Sequence, residues 1–182
     1  MMKQKKEERK ARTESDNAFS TQKTNILVAY FSHSGNTRAV ANQICESVGG
    51  DIFEIEPENL YPTNYNAAVK QAKQELESGY KPKLKTKVED MELYNVVFVG
   101  YPIWWSTIPR PVVTFLLEYD FSGKTIIPFC THDGSYLGRS VEDIKKLCPQ
   151  STVQDGLEVW GKDVKNAQNK VFKWLRQLEM TK

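Results

Sequence analysis

Three short stretches carry side chains suited to holding a charged, flat ligand. The first is Ser32-His33-Ser34-Gly35-Asn36-Thr37, which follows the apolar run Ile26-Leu27-Val28-Ala29-Tyr30-Phe31 and precedes residues with helical periodicity. At such a place the first amides of a helix have no intrahelical acceptor and the helix dipole is positive, so the backbone favours a phosphate. Ser32, Ser34, Asn36 and Thr37 can each add a side-chain donor. The stretch has neither the lysine of G-x-x-x-x-G-K-[ST] nor the spacing of G-x-G-x-x-G, which argues against a nucleoside-triphosphate loop and a Rossmann site. The ordinary alternative, a helix cap rich in Ser and Asn, uses the same residue types.

The second stretch is Gly100-Tyr101-Pro102-Ile103-Trp104-Trp105-Ser106-Thr107-Ile108-Pro109. Two adjacent tryptophans on a short loop flanked by prolines cannot both face one core. At least one is expected to turn its ring toward a ligand or partner, the alternative being packing against neighbouring loops or a dimer surface. The third stretch is Thr131-His132-Asp133-Gly134-Ser135-Tyr136-Leu137-Gly138, where Gly134 and Gly138 permit tight turns and close approach to a flat ligand. His132 is read as a hydrogen-bonding residue of the ligand or loop rather than a catalytic one, and no catalytic residue or metal ligand set is assigned. An isoalloxazine ring, flat and mostly apolar, is a natural occupant of aromatic walls.

The elements that would position these loops alternate along the chain from Asn25. Unbroken apolar runs at Ile26 to Phe31 and Val96 to Gly100 predict parallel strands covered on both faces. Asp51 to Ile55 and Thr125 to Cys130 are two more strands, and Asp155 to Val159 is a weak fifth. Helical spacing marks Val40, Ile44 and Val48, then Asn64 to Glu77, Val112 to Leu117, a segment with Val141, Ile144 and Leu147, and Val164 to Leu178. The pattern predicts an α/β fold, a doubly wound five-stranded parallel sheet with helices on both faces. Ligands of such sheets bind outside the carboxyl ends of the strands, where all three stretches fall.

Three segments, NILVAYFSHSGNT, VVFVGYPIWWSTIPRPV and GKTIIPFCTHDGS, resemble the FMN-contacting segments of the flavodoxin superfamily. The similarity extends to its short flavodoxin-like branch with a P-I-W-W loop, which Tyr61-Pro62-Thr63-Asn64-Tyr65 also fits. The resemblance implies strand order 2-1-3-4-5 and FMN as cofactor. It implies that Ser32 to Thr37 hold the phosphate, Pro102, Ile103, Trp104 and Trp105 line the isoalloxazine, and Thr131, His132, Asp133, Gly134 and Ser135 edge its pyrimidine side. The first loop departs from the commoner T-G-T run at His33-Ser34. The expected function is electron transfer with a redox partner protein, or a small oxidoreductase moving electrons from NAD(P)H to a quinone or similar acceptor. A non-flavin adaptor built on Trp104 and Trp105 is the alternative.

The chain has 182 residues, 40% hydrophobic and 26% charged, with a net charge of +2. Residues 1–24 hold seven basic and four acidic side chains, leaving 18 basic against 19 acidic in the rest. The expectation is therefore a disordered polar, basic arm over 1–24 and a near-neutral FMN-binding domain over 25–180. No apolar run approaches the ~20 residues of a membrane span, and the first residues lack the apolar centre of a secretory signal, so a cytoplasmic location is expected. No partnership with nucleic acid is expected. Cys45, Cys130 and Cys148 form no C-x-x-C pair, and Cys45 and Cys130 read as small core residues.

Overall fold

The computed structural model describes residues 25–181, so the arm expected over 1–24 lies outside the described residues. Strands β1 (Ile26–Tyr30), β2 (Asp51–Glu54), β3 (Val96–Pro102) and β4 (Thr125–His132) alternate with helices α1 (Asn36–Val48), α2 (Tyr65–Ser78) and α3 (Arg110–Glu118). Helix α4 (Ser140–Leu147), two short strands β5 (Thr152–Val153) and β6 (Leu157–Trp160), and helix α5 (Gln168–Gln177) complete the order. The sheet is parallel in the order β2-β1-β3-β4-β5, as expected.

Alternation along the central strands divides the core in two. Leu27 and Ala29 of β1 and Val97 and Val99 of β3 face one side, where Val112, Phe115 and Leu116 of α3 and Ile144 of α4 cover them. Val28, Tyr30 and Phe98 face the other, under Val40 and Ile44 of α1 and Val171, Trp174 and Leu175 of α5. The period of two in the strands thus supplies both helix layers with an apolar surface. Cys130 and Cys148 are buried, whereas Cys45 is half-buried and donates its thiol to the Gly50 carbonyl at 3.1 Å. Burial pushes the Cys130 thiol up to about 12, with the Glu158 charge adding to the effect.

Strands β3 and β4 run two residues beyond the expected Gly100 and Cys130, and two further differences lie at the fifth strand and the closing helix. The fifth strand is split: β5 pairs Thr152 and Val153 with Thr125 and Ile126, and β6 pairs Leu157 to Trp160 with Phe129 to His132. Between them, three residues of the edge (154–156) stand opposite only Ile127 and Pro128, so the edge bulges. Ile126 turns its carbonyl to the Gln154 amide. By the two-residue period Pro128 turns the same way, but it has no N–H to offer the neighbouring strand. The closing helix begins later than Val164, because residues Gly161–Asn166 form a 3-10 turn first. That delay keeps the Trp160-Gly161 segment at the carboxyl edge of the sheet. Among the described residues, no helix is long and apolar enough to cross a membrane.

Candidate functional site

The loop after β1 is organised as a helix entry. Ser32 Oγ accepts hydrogen bonds from the Gly35 and Arg38 amides, both at 3.2 Å, so the serine caps α1 from outside the helix. Gly35 adopts a left-handed φ of 91°, which turns the chain into the helix at little cost for a residue without Cβ. The first helical bond is Ala39 N–H to the Gly35 carbonyl at 3.0 Å. The Asn36 and Thr37 amides stand ahead of it, at the positive end of a 13-residue helix. The Thr37 hydroxyl is buried and meets the Thr131 hydroxyl at 2.9 Å, which ties the first loop to the end of β4. His33 instead donates from Nε2 to the Pro62 carbonyl at 3.0 Å.

The loop after β3 is a tight hairpin. Trp104 and Thr107 exchange both backbone hydrogen bonds at 3.1 Å, and Trp105 and Ser106 between them have φ of 52° and 64°. Left-handed backbone costs a residue with Cβ about 1–2 kcal/mol, so neighbours must hold this turn in place. The Ser106 carbonyl accepts the Arg139 amide at 2.9 Å, and Thr107 Oγ1 donates to Asp143 on α4. Gly138 passes so close that a Cβ there would sit 2.4 Å from the Ser106 oxygen. Trp105 Nε1 donates to the Val69 carbonyl of α2 at 3.2 Å, and the Lys73 ammonium lies 5.2 Å from its ring centre.

The two tryptophans part company at this turn. Trp104 is half-buried, with Tyr61, Phe31 and His33 edge-on at 4.8, 5.3 and 5.7 Å between ring centres. Trp105 is 44% exposed. Pro102 ends β3, and Ile103 donates its amide to the Thr131 carbonyl at 2.9 Å, fastening the second loop to the third.

At the start of the third loop, His132 is buried and bonds to Glu158 and the Gly134 amide rather than to Asp133. Its Nδ1 accepts the Gly134 amide at 3.0 Å, so the ring proton sits on Nε2 and is donated to Glu158 at 2.6 Å. Burial works to raise the Glu158 carboxyl, but hydrogen bonds from Lys170 and His132 outweigh it and hold the group below its ordinary value. Asp133 is exposed; a Cβ at Gly161 would lie 2.8 Å from Asp133 Oδ1 and 2.9 Å from Asn36 Nδ2. The first, third and β6 loops therefore converge at one point. Gly134 and Ser135 lie exposed on the rim.

Two contributors escaped the sequence reading. Trp160 packs 5.1 Å from His132 between ring centres and 6.4 Å from Tyr136, making a second aromatic flank. A tryptophan at a strand end, the signal that marked the second loop, was the available clue. Tyr61 was visible only as part of a resembling motif; its contact with Trp104 depends on a loop 43 residues away in sequence.

The sequence matches the profile of the family described as Flavodoxin over residues 25–178. The chain belongs to the flavodoxin family. A protein of Bacteroides eggerthii provisionally assigned as a flavoprotein is 34% identical, with 81% of this chain and 97% of that one covered at a TM-score of 0.69. A Bacteroides uniformis protein with the same provisional assignment is 29% identical, covering 85% and 99%, with a TM-score of 0.76. A Lactobacillus acidophilus flavoprotein solved with FMN shares the fold at 19% identity and TM-score 0.64, over 78% and 96% of the chains. No curated protein matches the sequence. In this flavodoxin-family chain, the strand order β2-β1-β3-β4-β5 matches the flavodoxin-like fold.

Proposed function

We propose that this protein binds FMN at the carboxyl edge of its sheet and serves as an FMN-dependent redox protein. The observation that carries the reading is the convergence at one sheet edge of the Asn36 and Thr37 amides of α1, the Trp104 hairpin and the His132 loop. The Asn36 and Thr37 amides supply donors and positive potential for a phosphate, while Ser32 Oγ keeps the next amide satisfied. Trp104 walls one side, with Trp105 next to it on the hairpin, and Thr131 to Ser135 provide the polar edge. The solved FMN complex of the Lactobacillus acidophilus relative supports the choice of flavin.

When bound, FMN supplies one- and two-electron chemistry that the side chains themselves do not offer. The chain's part is to grip the phosphate, stack the ring and exclude water from its faces. The exposed rim is aromatic and the domain near neutral, which fits a planar, uncharged acceptor such as a quinone, reduced at the expense of NAD(P)H, better than docking through complementary charge. A titration of apo-protein with FMN and with riboflavin tests the site. Riboflavin is expected to bind roughly tenfold or more weakly, since hydrogen bonds to a charged group contribute about 1.5–3 kcal/mol. Equal dissociation constants sink the assignment. If neither ligand binds, the 44% exposure of Trp105 favours the adaptor reading instead.

A further inference from the structure

We infer that Glu75, acting through Tyr61, is a positioning residue for Trp104 and so for the flavin face proposed above. The inference rests on that reading of the site. Glu75 lies on α2, 8% exposed, on the side of the helix turned toward the Trp104 loop. Its Oε2 accepts the Tyr61 hydroxyl, and its Oε1 accepts Gln71 Nε2 at 2.9 Å. Tyr61 is itself buried, at 8% exposure. Burial, then the Glu75 bond, pushes its hydroxyl well above the ordinary tyrosine range, so it remains a phenol with a proton to donate.

That single bond determines how the ring sits. The Tyr61 ring meets Trp104 edge to face at 4.8 Å and 81°, and meets Phe31 at 5.8 Å and 65°. Edge-to-face contacts depend on ring orientation, so a phenol free to tilt would release its hold on the indole. Trp104 is the half-buried member of the tryptophan pair, and the hairpin that carries it has two residues at unfavourable φ. Its indole is consequently placed by its neighbours rather than by relaxed local backbone. Arg110 braces the same arrangement, donating to the Tyr80 carbonyl and, at 2.8 Å, to the Gly79 carbonyl at the end of α2. Its positive charge is felt by both Glu75 and Tyr61. A carboxylate that never reaches the ligand thus sets the angle of the ring that does.

The test compares Glu75→Leu, Glu75→Gln, Tyr61→Phe and the Leu/Phe double variant in near-UV circular dichroism of the apo-protein, FMN affinity and flavin midpoint potential. Glu75→Leu and Tyr61→Phe are each expected to weaken FMN by roughly three- to tenfold, to shift the potential and to change the aromatic dichroism. Glu75→Gln, which can still accept the phenol, is expected to stay within about twofold of the parent. The double variant should be no worse than the worse single one, because both remove the same bond. A fall in melting temperature with affinity, potential and dichroism unchanged overturns the inference, as do multiplicative losses in the double variant. Tyr61→Phe retains the ring and answers the question if Glu75→Leu does not fold. Should the parent itself bind no FMN, the flavin reading fails separately. The apo dichroism then decides, changed in Glu75→Leu and restored in Glu75→Gln for a positioning role, or unchanged in both against it.

Discussion

The two aromatic flanks of the site are built on different physics. On the α2 side, Trp104 is held by Tyr61, Phe31 and His33 through ring edges, and the polar tips of Tyr61 and His33 bond away from it, to Glu75 and the Pro62 carbonyl. On the β6 side, His132, Tyr136 and Trp160 lie beside a polar chain in which the imidazole donates to Glu158 and that carboxylate pairs with Lys170. The first flank is a matter of shape and the second of charge. Shape is lost when volume is removed, whereas a charge chain fails when a proton is added.

The largest effect should come from breaking shape. Trp104→Ala is expected to destabilise the fold by about 2–3 kcal/mol, below the range for a fully buried aromatic because the ring is only partly buried, and to weaken FMN at least roughly tenfold. Trp105→Ala should cost less than half as much in both, which thermal melts and flavin titration will show. Equal effects would mean that the exposed indole also stacks, and that the α2 flank is wider than the contacts indicate.

Breaking charge should be milder and dependent on pH. Folded Glu158 holds its proton less tightly than the unfolded chain does. Its contribution is therefore fully present above the unfolded carboxyl value near ~4.3 and is lost as pH falls through the lower folded value. Glu158→Gln should cost about 1–2 kcal/mol at neutral pH, with parent and variant converging in acid. Urea melts across that range check it; a constant gap would assign the flank to packing after all.

Smaller still is the strain in the hairpin between the flanks. Ser106→Gly should stabilise the protein by about 0.5–1 kcal/mol, the relief at φ 64° being partly offset by the greater freedom of glycine when unfolded. A loss of stability would show that the Ser106 side chain makes a contact that outweighs its backbone. The least effect is expected from removing residues 1–24, since that polar stretch has no apolar periodicity. Unchanged melting temperature and FMN affinity are the expected result, and a drop in either would attach the arm to the domain.

Much of this molecule could be read from residues alone, for reasons that are local. Apolar runs at Ile26 to Phe31 and Val96 to Gly100 require cover on two faces, and helical spacing between strands supplies it, which leads to a doubly wound parallel sheet. The same order puts Ser32 to Thr37, Pro102 to Trp105 and Thr131 to Ser135 at strand ends. The split of the fifth strand was not read, although Pro128 held the clue, because its effect appears only once the pairing register is known. What tertiary structure alone decided is which atoms face which. Thr37 meets Thr131 across 94 residues, His132 turns to Glu158 rather than to adjacent Asp133, and Tyr61 stands between Glu75 and Trp104. Periodicity reports whether a side chain is covered, a property of its own element; the partner that covers it depends on how separate elements are brought together.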